Sequence, residues 1–167
     1  AELKQDQRPR ALAPGAFYVA YRADTAFVAA ALRAGEGHVI ESHVSALECE
    51  GAEQAHYYAA VLNYLAYRVA ASGRAFNRHQ FARPLLAALL LGLGWGDVPA
   101  GVREEVARLA RELSAKLPRA RSANRLRALE YAARYPEFRR IVSLLDGTAR
   151  REGWGPALGL VSSSAQR

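Results

Sequence analysis

The chain has 167 residues, 51% of them hydrophobic, which is enough apolar surface for one real core and too little length for several independent domains. A formal net charge of +7 points toward a polyanionic partner such as nucleic acid, although an excess of base also serves solubility. Cys49 is the single cysteine, so an internal disulfide and a cysteine-built zinc site are excluded and a reducing, cytoplasmic setting is expected.

Residues 1–15 are polar, contain Pro9, Pro14 and Gly15, and read as an entering arm or linker. The stretch lacks the apolar heart of a signal peptide, and no later run approaches the length of a membrane span. With no methionine anywhere, residue 1 is either an alanine exposed by processing or the edge of a piece of a longer protein. In "AFYVAYR", Phe17, Val19 and Tyr21 alternate with Tyr18 and Ala20, the two-residue period of a half-buried strand. "TAFVAAALRAG" fits a strand or a short helix; Gly35 and Gly37 around Glu36 favour a strand that leads into a hairpin turn. "HVIES" and "HVSALECE" supply two more short strands, and together these predict a small antiparallel sheet.

The period changes at Gly51. From Ala52 to about Ser72, the residues Ala55, Tyr58, Ala59, Leu62, Ala66 and Val69 recur at three- and four-residue steps, with Gly73 as a stop, which predicts a helix. "PLLAALLLGLGWGD" is apolar on all sides and is expected to be buried, as a helix entered through Pro84 or, alternatively, as a strand. Val102, Val106, Leu109, Leu113 and Leu117 line one face of the next helix, with Glu104 and Glu105 in its first turn, Lys116 in its last and Glu104 paired with Arg108. Ser122 caps a helix that reaches Tyr135, and Pro136 starts another that buries Phe138, Ile141, Val142 and Leu145. The tail docks through Trp154 and Leu158. The expected class is α+β: one domain over residues 16–161, strand-rich over 16–50 and helical over 51–161, in which a small antiparallel sheet packs against a predominantly helical second half, with a frayed tail at 162–167.

Most candidates for chemistry fail. Gly92, Gly94 and Gly96 superficially match a glycine turn that holds a nucleotide or S-adenosylmethionine, but Trp95 occupies the close-approach position and no later strands continue a parallel sheet. A glycine break between two buried elements explains them better. His38, Glu41 and His43 lie close in sequence, yet on a strand 41 and 43 face one way and 38 the other, so no metal set is ready. Cys49 has no activating base nearby and reads as a buried, inert thiol. Glu48, Glu50 and Glu53 flank a helix start, where negative charge favours the exposed amide ends.

"GRAFNRHQFARP", residues 73–84, is different in kind. Arg74, Asn77, Arg78, His79, Gln80 and Arg83 include the side chains that grip phosphates and read base edges, since arginine forks onto guanine and asparagine or glutamine onto adenine. Phe76 and Phe81 would anchor them to the core; a loop whose polar groups cap neighbouring helices is the alternative. Further along, Arg119, Arg121, Arg125 and Arg127, followed by Arg134, Arg139 and Arg140, offer secondary phosphate contacts or simply a solvated helix surface.

The run "ALECEGAEQAHYYAAVLNYLAYRVAASGRAFNRHQFARPL", the later "LGW" and the helix "VREEVARLARELSAKL" resemble the carboxy-terminal region of large N6-adenine DNA methyltransferases of restriction–modification systems, including those with TaqI-like specificity domains. The resemblance spans about residues 16–117. It implies a DNA-target-recognition module, with Arg74, Arg78 and the Arg83-Pro84 pair matching family positions. After Arg-Pro the family continues with an extended, proline-containing segment, whereas this chain has "LLAALLLGLGW". The family's catalytic tetrapeptide, Asn or Asp followed by two prolines and an aromatic, is absent. The resemblance therefore implies no catalytic residue and no cofactor in this chain, with S-adenosylmethionine on a separate methyltransferase catalytic domain or subunit and double-stranded DNA as partner. A protein-interaction or scaffold domain is the principal alternative reading, and a small nuclease the next.

Overall fold

In a computed structural model, the described residues are 10–22, 28–40, 44–72, 84–117 and 128–154. Five strands precede five helices: β1 (Arg10–Ala11), β2 (Phe17–Arg22), β3 (Val28–Arg33), β4 (Val39–Ile40), β5 (Val44–Cys49), α1 (Ala52–Ala71), α2 (Pro84–Leu90), α3 (Ala100–Lys116), α4 (Ala128–Arg134) and α5 (Pro136–Thr148). A 3-10 turn at Arg151–Gly153 follows α5. The architecture is the expected α+β arrangement of a small antiparallel sheet followed by helices.

The main sheet has the order β3-β2-β5, antiparallel throughout, with Val19 opposite Ala31 on one side and Leu47 on the other. Because alternate residues face opposite sides, Phe17, Val19 and Tyr21 turn together toward α1 with Ala29, Ala31 and Cys49. The reverse face is covered as well. Tyr18 there joins Leu12 and Ala34 in a second small cluster, beneath the ribbon that β1 makes with β4. The segment read as an arm thus contributes β1 and the buried Leu12 before its turn at Gly15. After β3 the chain turns at Gly37, whose φ of 72° a residue with a Cβ rarely adopts, but the expected hairpin does not form, because the next strand, β4, pairs with β1 and not with β3.

α1 is the axis of the molecule. The sheet, α2, α3, α4 and α5 all contact it, so its burial exceeds the single stripe read from the sequence and includes Tyr57, Val61, Tyr64 and Leu65. α3 buries Val106, Leu109 and Leu113 as expected, but it starts at Ala100, so the two glutamates fall after its first turn. Arg108 pairs with Glu105 and Glu112 rather than Glu104, one guanidinium serving two carboxylates within a turn on either side. α5 begins at Pro136 and buries Phe138, Ile141, Val142 and Leu145. The expected cap Ser122 and the tail residue Leu158 lie outside the described residues.

The sheet's outer edge is closed by a side chain. Asn63 on α1 accepts from the Ala29 N–H at 2.8 Å and donates to the Ala29 carbonyl at 2.9 Å, doing for one residue of β3 what a neighbouring strand would do. Replacing Asn63 by alanine strips both groups of their partner, and an expected loss of about 1–3 kcal/mol follows from leaving backbone donors and acceptors unmet. Urea unfolding of Asn63→Ala against wild type checks it.

Beside this edge lies a narrow cavity of about 50 Å³ lined by Ala29, Ala60, Ala110 and His56. Burial first, and then the Arg111 charge, holds the His56 pKa below its ordinary value. The sign follows: the unfolded chain takes up this proton near pH 6.5 while the folded one resists, so the stability His56 contributes is present above that pH and fades as pH falls. His56→Gln is therefore expected to flatten the acid side of the stability profile, read as the urea midpoint between about pH 8 and 5.

Candidate nucleic-acid interface

The expected reading segment joins Ser72 to Pro84, and Arg74, Asn77, Arg78, His79, Gln80 and Arg83 all lie outside the described residues, as do Arg119, Arg121, Arg125 and Arg127. What surrounds the segment's two ends is described, and it is built with care.

At its far end stands the glycine turn. α2 stops with Gly92 in the left-handed region at a φ of 69°. The Leu93 N–H bonds the Ala88 carbonyl and the Gly92 N–H bonds that of Leu89, the paired closing bonds of a glycine-terminated helix. The loop that follows is held by its backbone: Tyr57 Oη donates to the Leu93 carbonyl at 2.7 Å, and the Trp95 N–H donates to Tyr58 Oη at 3.0 Å. Arg103 lies over the Trp95 ring at 4.7 Å and donates to its carbonyl. The two tyrosines of "EQAHYY" and the "LGW" are thus one unit, and the glycines end a helix there. α2 itself corrects the expectation of a fully buried segment. Ala87, Ala88 and Leu91 face the core, while Leu86, Leu89 and Leu90 are 47%, 53% and 41% exposed, because this short surface helix has the core on only one side.

At the near end, the last two turns of α1 present Tyr64, Tyr67 and Arg68 at helical spacing. Asp146 of α5 meets them. Tyr64 Oη donates to Asp146 Oδ1 at 2.6 Å, Arg68 Nε to the same oxygen at 2.9 Å, and Arg68 Nη2 to Oδ2. Burial, opposed by Arg68, raises the Tyr64 pKa, which keeps its hydroxyl a proton donor to the carboxylate. The Arg68 guanidinium also lies 5.5 Å from the Tyr67 ring and 5.9 Å from that of Tyr64.

Two open grooves flank the Arg68–Asp146 pair. One, of about 480 Å³, is lined by Tyr64, Arg68, Ser72, Asp146, Arg151 and Trp154. The other, of about 370 Å³, adds Tyr67, Arg139 and Ser143. Arg68 and Asp146 thus line both grooves, with Arg151 in the first and Arg139, which donates to the Ala132 and Ala133 carbonyls, in the second. Sequence reasoning missed Arg68, Asp146 and Trp154 as a group. One local signal was present: Asp146 sits in the last turn of α5, where negative charge opposes the helix dipole, and an acid placed there needs a cationic partner.

The rejected chemistry looks as follows. His38 Nδ1 accepts from the Gly35 N–H at 3.0 Å within the turn after β3, and Glu41 and His43 lie outside the described residues. Among the described residues no group of three potential metal ligands occurs. Cys49 is buried, and that burial pushes its thiol pKa up, away from nucleophilic use. No helix among the described residues is long and apolar enough to cross a membrane. Comparison of the chain with known protein families, with curated proteins and with solved structures finds no match.

Proposed function

We propose that this chain is a non-catalytic DNA-target-recognition domain that serves an adenine-specific DNA methyltransferase or restriction–modification protein. The observation that carries the reading is that the Arg68–Asp146 pair stands between two grooves, one lined by Arg151 and one by Arg139, beside Ser72, after which the basic segment 73–83 begins in the sequence. A long helix packed on several sides gives that segment a rigid base, as a reading element requires. Arg74, Arg78 and Arg83 grip phosphate or guanine, Asn77 and Gln80 contact adenine, and His79 adds a donor. Arg119, Arg121, Arg125 and Arg127 add affinity that ignores sequence. S-adenosylmethionine and the methyl-transfer residues belong to a separate domain or subunit.

One observation favours a second reading. Leu86, Leu89 and Leu90 form an exposed apolar stripe on α2, of the kind that meets a protein partner. Anisotropy titration of a labelled duplex separates the two. A domain that neutralises several phosphates loses about a hundredfold or more in affinity between about 50 and 200 mM salt. Binding that ignores salt, or no binding to duplex at low salt, removes the DNA reading and leaves the apolar stripe.

A further inference from the structure

The groove at the foot of α1 holds more recognition chemistry than fold stability requires. An ion pair as exposed as Arg68 with Asp146, each side chain about one-third accessible, contributes little to holding a protein together. Yet Asp146 is placed against its own helix dipole, Tyr64 donates to it, and two tyrosine rings support the guanidinium. Such an arrangement fixes the orientation of Arg68. Its side-on contact to both carboxylate oxygens occupies Nε and one Nη2 hydrogen, which leaves three of the five guanidinium donors, the forked outer end, for something else.

Three further features narrow what that something is. Arg151 lines the same groove, is exposed, and makes no ion pair among the described residues. Trp154 forms part of the groove wall, half-buried, with its ring centroid 6.0 Å from that of Tyr64. The groove's volume of about 480 Å³ falls in the range of small-ligand sites. Two guanidinium groups fit a phosphate, and an indole beside them fits a planar ring. In an intact duplex the bases are stacked inward and would leave the indole idle.

We infer that this groove receives one unpaired nucleotide of a single-stranded DNA segment, its base against Trp154 and its phosphate between Arg68 and Arg151. The inference rests on the nucleic-acid reading above and extends it: duplex contacts fall to the 73–83 segment, and the groove takes a nucleotide that has left its pair.

The test measures binding of a short labelled oligothymidylate and of a labelled duplex to the whole chain, for wild type, Trp154→Ala and Trp154→Phe. Stacking of a base on an aromatic ring predicts that Trp154→Ala weakens the oligothymidylate about tenfold or more, with duplex affinity unchanged. Trp154→Phe, which keeps a ring, recovers most of that loss, and it carries the test alone should thermal melting show the alanine variant unfolded, in which case a threefold or smaller loss is expected on the scale of about tenfold for the missing ring. Equal oligothymidylate binding by wild type and a folded Trp154→Ala overturns the inference. So does an equal loss of both ligands. A wild type that binds duplex but not oligothymidylate overturns it while the DNA reading stands, and one that binds neither overturns both.

Discussion

Replacing Phe138 by alanine is expected to destabilise the domain by about 3–5 kcal/mol, the range for emptying an aromatic site in a packed core. Phe138 is only 1% exposed and sits in the first turns of α5, edge-on to the Tyr67 ring at 5.9 Å. It belongs to the core cluster that also holds Leu113 of α3 and Leu65 of α1, so its loss opens the core that the three helices share. Around it the start of α5 is held by the Tyr135 carbonyl, which accepts from the Phe138 and Arg139 N–H groups, and by Glu137, which pairs with Lys116 of α3. Urea denaturation should show a lower midpoint at an unchanged slope, the sign of lost packing without a change in the surface exposed. The functional consequence is a looser foot of α1, since Tyr67 and Arg68 are neighbours.

Gly153→Ala is the second large effect, expected at about 3 kcal/mol from overpacking against backbone. A Cβ at this position would lie 2.4 Å from the Leu90 carbonyl oxygen and 3.1 Å from its carbon. Neither atom can move aside as a flexible side chain would, for the adjacent Leu91 carbonyl accepts from the Arg150 N–H at 2.8 Å and so locks the same crossing. The close approach seats the 3-10 turn on the end of α2 and thereby positions Arg151 and Trp154. Thermal unfolding checks the stability loss. Gly92→Ala offers a useful contrast, because there the obstacle includes the flexible Arg150 side chain, and the left-handed backbone of the glycine adds a strain of about 1 kcal/mol.

Alternation of Phe17, Val19 and Tyr21 marks β2, although Tyr18 on the reverse face is buried as well, and the shift in period at Gly51 locates the start of α1. The burial of α1 on more than one face was not legible. Its alanines and tyrosines suit several faces at once, and only the assembled sheet and helices decide which are covered. At α2 the difference runs the other way: unbroken hydrophobicity predicts burial, but the short helix has the core on one side only. The glycines at 92 and 94 were readable as a break, while the tyrosines that secure the following loop lie 36 and 37 residues away in the chain. Tyr64 and Arg68 meet Asp146 across 82 and 78 residues, and no local pattern reports a contact of that span. The candidate reading segment was legible from composition alone, as a density of donors between apolar stretches.

The central claim is that this density of donors binds DNA through phosphates. Neutralising Arg74, Arg78 and Arg83 together to glutamine, in a chain whose urea midpoint is unchanged, and titrating a labelled duplex at several salt concentrations tests it most directly. Loss of three phosphate contacts predicts that the slope of log affinity against log salt becomes shallower by about 3, with weaker binding at every salt concentration below the crossing point. A folded triple variant that keeps both the affinity and the slope of the wild type would contradict the account.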